Sequence, residues 1–135
     1  TRQQAWSDDG GATWTEATIC ETLPDGPQDR AYGCMGGLVR LPMMDRDVLI
    51  YSNCDSPSGR HHGTVWASFD GGATWPVKRL VTEGAFAYSS LTAGLPDTPG
   101  EGWIYLHFES DGSKVARFNL EWLKEGTPTG DGDIP

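Results

Sequence analysis

Apolar residues occur along this chain in short runs separated by glycine, proline, aspartate and asparagine. Such runs, rich in β-branched and aromatic residues, are typical of strands, and the apolar spacing of a helix is almost absent. The pattern therefore predicts an all-β chain with one helical turn at 120–124. The predicted strands cover residues 2–7, 15–20, 37–41, 48–52, 64–68, 77–81, 88–92, 103–109 and 114–119.

One eight-residue motif occurs twice, as SDDGGATW at 7–14 and as SFDGGATW at 68–75. Its aspartate can accept hydrogen bonds from the backbone ahead of it. Its two glycines permit positive φ, and its tryptophan offers an apolar plate that can seal the turn. Each copy predicts a turn between neighbouring strands, and we interpret Asp8, Asp9 and Asp70 as structural. Repetition of a strand–turn–strand unit is typical of propeller blades.

Length and charge limit the classes of function. The chain has 135 residues, enough for one domain with a modest core and for roughly two to two and a half propeller blades. Its net charge is −9, with 19 acidic and 10 basic residues, which argues against nucleic acid and anionic membranes as partners. No apolar run approaches the length of a membrane span. The three cysteines allow either one disulfide with a free thiol or three buried thiols.

The repeated motif and the longer segments around it indicate a protein family. The repeated motif resembles the Asp-box of sialidases and related six-bladed β-propellers. The segment RHHGTVWASFDGGATWPV at 60–77, followed by FAYSSLT at 86–92 and WIYLHFE at 103–109, resembles bacterial exo-α-sialidases in order, context and spacing. This resemblance covers nearly the whole chain, including ARFNLEWL at 116–123. It implies the C-terminal portion of a sialidase β-propeller over 1–125. The segment 126–135 is rich in glycine, proline and aspartate, which predicts a flexible tail.

By this resemblance Tyr88 is the catalytic nucleophile. Most retaining glycosidases attack with a carboxylate, but a sialic acid carries its own carboxylate on the anomeric carbon. At about 4 Å two carboxylates repel each other by roughly 4 kcal/mol at an effective dielectric constant of about 20. A neutral phenol avoids this repulsion if a base removes its proton. The alternative is that Tyr88 is a half-buried strand aromatic.

Three further residues match the carboxylate-binding set of the family. Arg60 and Arg2 resemble two members of an arginine triad, and a guanidinium can donate two parallel hydrogen bonds to a carboxylate. Glu109 resembles a glutamate that orients a triad arginine supplied from elsewhere. Strand alternation places Glu109 on the face opposite Phe108. Solvated arginines and a rim carboxylate remain the alternatives for these residues.

Weaker candidates surround this set. His61 and His62 follow Arg60 and could line the rim of a site, although an exposed loop is the simpler interpretation. The glycine-rich loop 32–37 could approach the glycerol or acyl group of a substrate. The segment 131–133 is too short for a calcium loop.

The family also uses an aspartate acid/base, a glutamate that activates the tyrosine and a further arginine, none of which has a match here. The resemblance therefore implies an exo-α-sialidase that acts with retention on terminal sialic acids of glycoconjugates, in which this chain alone is inactive. Its expected partners are a sialylated glycan and an upstream fragment of the same enzyme, with no metal or cofactor, and its expected location is secreted or periplasmic. A trans-sialidase and a non-catalytic Asp-box propeller that binds glycan or protein are the alternatives.

Overall fold

The structure is a computed structural model that describes residues 2–25 and 33–135. These residues form three antiparallel sheets and one short helix, which confirms the predicted all-β class. The elements are β1 (Arg2–Gln4), β2 (Thr18–Cys20), β3 (Gly37–Arg40), β4 (Leu49–Cys54), β5 (His61–Ser68), β6 (Val77–Ala85), β7 (Ser89–Ala93), β8 (Ile104–Ser110), β9 (Gly112–Phe118), α1 (Leu120–Lys124) and β10 (Thr127–Pro128).

Strand order follows chain order closely. β1 pairs with β2, the central sheet has the order β10-β6-β5-β4-β3, and β7-β8-β9 form the third sheet. β4 lies inside the central sheet and is buried along nearly its whole length. The main core lies between the second and third sheets, where Ile50, Val65, Phe86 and Leu106 are all fully buried.

The two repeated motifs form the predicted turns, one in the β1–β2 hairpin and one in the β5–β6 hairpin. In the second turn, Asp70 accepts from the Thr74 backbone N–H at 2.9 Å and from the Thr74 hydroxyl at 2.8 Å. The Ser68 hydroxyl accepts from the Gly72 N–H at 2.8 Å. Gly71 and Gly72 have φ of 71° and 94°, the left-handed region that favours glycine. The first turn repeats this arrangement with Asp9, Thr13, Ser7 and Gly11.

The two tryptophans of the motif differ in burial. Trp75 is only 3% exposed and packs with Tyr51 and Trp66. Trp14 is 64% exposed, and its indole N–H donates to the Gly11 carbonyl within the same turn. The predicted seal is therefore formed by Trp75 alone, because Trp75 belongs to the central sheet and Trp14 to a two-stranded hairpin.

Several strand bounds depart from the sequence prediction, whereas the helix does not. β1 and β2 have three residues each, shorter than the predicted 2–7 and 15–20. β5 begins at His61, three residues earlier than predicted, through an irregularity in its pairing with β6 at 61–64. The predicted helical turn at 120–124 is confirmed as α1, whose first turn is capped by the Asn119 side chain accepting from the Trp122 N–H.

The segment 126–135, predicted as a flexible tail from its glycine and proline content, makes specific contacts with other elements. β10 pairs with β6, and the Thr129 N–H donates to the Pro76 carbonyl at 2.9 Å. The Asp131 carboxylate accepts from the Trp75 N–H at 3.0 Å and from the Thr22 hydroxyl at 2.6 Å. These contacts arise because the tail runs along the edge strand of the central sheet, which composition does not reveal.

Removal of the Asp70 carboxylate should destabilise the fold. We expect Asp70→Ala to lower the free energy of unfolding by about 0.5 to 3 kcal/mol, since it leaves the Thr74 N–H and hydroxyl without their acceptor. Asp8 was interpreted as structural, but its side chain is exposed and makes no hydrogen bond to the described residues, because Asp9 is the residue that holds the first turn. Asp8→Ala is therefore the matched control. Denaturant unfolding of the complete protein that contains this chain measures both. Equal losses in the two variants would contradict the structural role of the motif aspartate.

The first motif should contribute a pH-dependent part of the stability. The hydrogen bond from the Thr13 hydroxyl is the main cause that lowers the pKa of Asp9 from 3.8 to about 2. Because the pKa is lower in the folded state, the stabilisation is present above about pH 4 and is lost as the pH falls from 3.8 toward 2. We therefore expect the Tm difference between the unaltered protein and Asp9→Asn to shrink over that range. A difference that stays constant down to about pH 2 would contradict this.

Candidate active site

Residues 86–88 carry the chain from the central sheet to the third sheet, and three of the predicted site residues meet there. The Phe86 N–H donates to the Arg60 carbonyl at 2.9 Å. On the other side, the Ala87 N–H donates to the Glu109 carbonyl at 2.9 Å, and the Glu109 N–H donates to the Tyr88 carbonyl at 3.0 Å. Backbone pairing on both sides of this crossing therefore brings Arg60, Tyr88 and Glu109 together.

The position of the crossing segment is set by packing. Phe86 is fully buried and stacks on Phe108, with ring centroids 4.8 Å apart and planes at 25°. On its other side lies Gly63, where a Cβ atom would come within 2.0 Å of the Phe86 ring. Any side chain at residue 63 would force the phenylalanine out of place. Phe86 therefore fixes the position of Tyr88, which directly precedes β7 of the third sheet.

Arg60 and Tyr88 are in direct contact. The guanidinium carbon of Arg60 lies 4.8 Å from the centroid of the Tyr88 ring, within the range of a cation–π interaction. Tyr88 is 40% exposed, so its ring is supported by the arginine and also open to a ligand. The contact places the positive charge of Arg60 beside the Tyr88 phenol. This charge repels a cationic ligand and attracts an anionic one.

Arg2 lies in the same region and is held by three groups. Its Nη2 donates to the Cys34 carbonyl at 3.3 Å and forms an ion pair with Asp25 at 3.1 Å. Its guanidinium carbon lies 5.4 Å from the centroid of the Tyr51 ring. These contacts fix the orientation of the side chain in the short β1–β2 hairpin.

Three charged residues of the site affect the pKa of the Cys34 thiol. Its hydrogen bond with the Cys54 thiol lowers the pKa of Cys34 to about 7, and burial opposes this shift. Arg60 and Arg2 lower the same pKa, whereas Glu109 raises it. The hydrogen bond with Cys34 in turn raises the pKa of Cys54. Both arginines and the glutamate therefore act electrostatically on one buried atom.

Glu109 occupies the position that strand alternation predicted. Ile104, Leu106 and Phe108 point into the core, and Tyr105, His107 and Glu109 lie on the other face of β8. Glu109 is exposed, and its carboxylate forms no ion pair with any residue in the described ranges. It is therefore available to a cation from outside this part of the chain.

The weaker candidates lie next to this group. The imidazoles of His61 and His62 contact each other, and Nε2 of His61 lies 3.1 Å from the Ser56 hydroxyl. Of the glycine-rich loop 32–37, Tyr32 lies outside the described residues. The Met35 carbonyl accepts from the Ser89 N–H at 3.3 Å, which places this loop beside the residue after Tyr88. A role for these residues in binding stays a prediction.

The cysteines are buried free thiols, which decides between the two alternatives left open by their number. Within residues 2–25 and 33–135 no group of three or more histidine, cysteine or acidic side chains is arranged to bind a metal. The only helix described there, α1, is far too short to cross a membrane.

A cavity of about 740 Å³ lies between the β1–β2 hairpin and the central sheet. Arg2 lines it together with the tryptophans of the two motifs, but Arg60, Tyr88 and Glu109 do not. We therefore place the candidate site at the crossing segment, where the charged and nucleophilic groups converge, and assign no ligand to this cavity.

Three residues around Arg2 were not predicted: Asp25 and Tyr51, which contact it, and Asn53, which donates hydrogen bonds to Tyr51 and to the Cys34 carbonyl. Asp25 lies in a loop without a recognisable motif. Asn53 and Ser52 carried a signal, since two polar residues at the end of an otherwise apolar run predict buried hydrogen bonds in a strand. Both are fully buried in β4.

Comparison with known proteins gives relatives of one kind. No protein-family model matches the chain. It is 38% identical over 128 residues to a sialidase of Micromonospora viridifaciens, covering 90% of this chain and 18% of the relative. It is 34% identical over 99 residues to a sialidase of Bacteroides fragilis, covering 67% of this chain and 17% of the relative. The chain thus spans less than a fifth of the length of these relatives.

Solved structures agree. A Hadza microbial sialidase superposes with a TM-score of 0.68 and 30% identity, over 88% of this chain and 23% of that one. The intramolecular trans-sialidase from Ruminococcus gnavus, solved with oseltamivir carboxylate, gives a TM-score of 0.70 at 23% identity, over 93% and 29% of the two chains. The second likeness shows the fold alone. From the identities and the shared sheets together, we conclude that this chain belongs to the bacterial sialidase family and forms part of a sialidase-type β-propeller.

Proposed function

We propose that this chain supplies the nucleophile and part of the carboxylate clamp of an exo-α-sialidase. The enzyme would hydrolyse terminal sialic acids with retention of configuration, through a tyrosyl-enzyme intermediate. The observation that carries the proposal is the contact of Arg60 with Tyr88 at 4.8 Å, next to Glu109 at one crossing between sheets. The sialidase relatives support the same assignment.

Tyr88 would attack the anomeric carbon with its phenolic oxygen. The bond from this carbon to the leaving oxygen breaks as the new bond forms, while a base takes the phenolic proton and an acid protonates the leaving group. Water then attacks the same carbon and releases the phenol, so two inversions give retention. The partial exposure of Tyr88 leaves its oxygen accessible to a substrate.

Arg60 and Arg2 would bind the substrate carboxylate. Arg60 lies against the nucleophile, so a carboxylate held by its guanidinium would keep the anomeric carbon near the phenol. Arg2 adds a second positive charge near Cys34, whose pKa both arginines lower, and this supports a shared role. Glu109 would orient a third arginine supplied by another part of the enzyme.

The remaining groups would come from outside this chain. The chain spans under a fifth of its curated relatives, and the acid, the base for Tyr88 and the third arginine would lie in the rest of the propeller. A trans-sialidase uses the same covalent step and differs in what resolves the intermediate. Hydrolysis is the simpler proposal, because both relatives above 30% identity that cover most of this chain are named sialidases.

Replacement of Arg60 should test the clamp. Arg60→Lys keeps the charge but loses the two-pronged guanidinium, and we expect transition-state stabilisation to fall by about 2 to 4 kcal/mol. Arg117→Lys is the matched control, since Arg117 also stacks on an aromatic ring, Trp103 at 4.4 Å, but on the exposed strand β9. The measurement is kcat/KM on an aryl sialoside with the complete enzyme. Unchanged kinetics in Arg60→Lys would remove Arg60 from the clamp.

Covalent trapping should identify the nucleophile. A 3-fluoro sialosyl fluoride slows breakdown of the intermediate more than its formation, so the complete enzyme should accumulate a sialosyl adduct. Peptide mapping should place the added mass on Tyr88. Tyr88→Phe should give no adduct, whereas Tyr105→Phe, which alters a tyrosine on β8 outside the crossing, should be labelled normally. An adduct on a carboxylate would contradict the proposed role of Tyr88.

A further inference from the structure

Asn53 is a buried amide whose two N–H groups and whose oxygen all form hydrogen bonds. Its side chain is fully buried in β4. Its Nδ2 donates to the Cys34 carbonyl at 3.0 Å and to the Tyr51 hydroxyl at 2.6 Å. Its Oδ1 accepts from the Cys54 N–H at 2.7 Å. A buried amide of this kind is costly unless it is fully satisfied, so these contacts are strongly specified.

The two residues that accept hydrogen bonds from the Asn53 amide, Cys34 and Tyr51, also contact Arg2. The Cys34 carbonyl accepts from Arg2 at 3.3 Å, so one oxygen receives hydrogen bonds from Asn53 and from the guanidinium. The Tyr51 ring lies 5.4 Å from the guanidinium carbon. The Tyr51 hydroxyl in turn donates to the Pro24 carbonyl at 3.0 Å, next to Asp25, the ion-pair partner of Arg2.

This network fixes one side of the guanidinium and leaves the other side for a ligand. Nη2 of Arg2 is used by Cys34 and Asp25. Nε of Arg2 is buried, so a ligand would reach the guanidinium through its exposed part, since the Arg2 side chain is 28% exposed. A guanidinium held at one nitrogen presents its remaining N–H groups in a fixed plane, which suits recognition of a carboxylate.

We propose that Asn53 is a positioning residue for carboxylate binding by Arg2, and that it acts through the Cys34 carbonyl and the Tyr51 side chain. This inference rests on the proposed function of Arg2. Asn53 does not touch the ligand. It holds the two groups that set the plane of the guanidinium, so its loss lets Arg2 rotate within its short hairpin and weakens its grip on an anion.

The test measures binding to the complete enzyme and does not depend on turnover. The probes are the 2,3-unsaturated sialic acid analogue, which keeps the carboxylate, and its methyl ester, which does not ionise. The variants are Asn53→Ala, Arg2→Lys and the two combined. Thr64→Val is the matched control, because Thr64 pairs with Asn53 across β4 and β5 and is also buried but has no contact with Arg2.

We expect Asn53→Ala to weaken binding of the acid about tenfold and to leave binding of the ester nearly unchanged. In the Arg2→Lys background the same substitution should have little further effect, since residues in one network are not additive. Thr64→Val should bind both probes normally. If Asn53→Ala weakens both probes equally, or if its effect adds fully to that of Arg2→Lys, the positioning role is wrong.

Two outcomes separate this inference from the proposed function. If Arg2→Lys leaves the affinity for the acid unchanged, Arg2 is not part of the clamp, and both the clamp assignment and the role of Asn53 fail. If Arg2→Lys weakens binding and Asn53→Ala does not, only the inference about Asn53 fails. Should Asn53→Ala not fold, Tyr51→Phe removes the hydroxyl partner and keeps the ring. We expect Tyr51→Phe to weaken binding of the acid by a smaller factor than Asn53→Ala does, and to leave binding of the ester unchanged. If Tyr51→Phe binds the acid as tightly as the unaltered enzyme, the proposal is overturned.

Discussion

The packing of Phe86 between Gly63 and Phe108 is the contact on which the candidate site depends. It ties the central sheet to the third sheet at the point where the chain passes between them. Arg60 directly precedes the strand that contains Gly63, and Glu109 lies in the strand that contains Phe108. If this ring moved, the polar residues would remain on their strands but would no longer face one another. The chemistry proposed for Tyr88 therefore depends on the apolar packing of Phe86 in the core.

The sequence was sufficient to predict the class of fold and the residues at the crossing. Short apolar runs and the repeated motif predicted the strands and both hairpin turns, because those signals are local. Arg60, Tyr88 and Glu109 were predicted through family resemblance, and the structure brings them together. Their roles in catalysis stay predictions, since proximity alone does not establish a nucleophile.

What could not be predicted depends on contacts between distant segments. Asp25 and Tyr51 converge on Arg2 only because the β1–β2 hairpin lies against β4, and no local pattern encodes that placement. The order of residues 126–135 has the same origin, as Asp131 accepts hydrogen bonds from Trp75 and Thr22, which belong to other parts of the chain. Composition indicates the conformations open to such a segment in isolation. In the fold, hydrogen-bond partners on other elements determine which conformation it adopts.

The two copies of the repeated motif show what that motif encodes. One is set in the central sheet with its tryptophan buried, and the other carries an exposed tryptophan, yet the serine, aspartate, glycine and threonine contacts are the same in both. The serine, aspartate and threonine side chains make these contacts within the motif, so the turn keeps the same form in different surroundings. A match to this motif in any other sequence therefore identifies a hairpin connection and carries no information about catalysis.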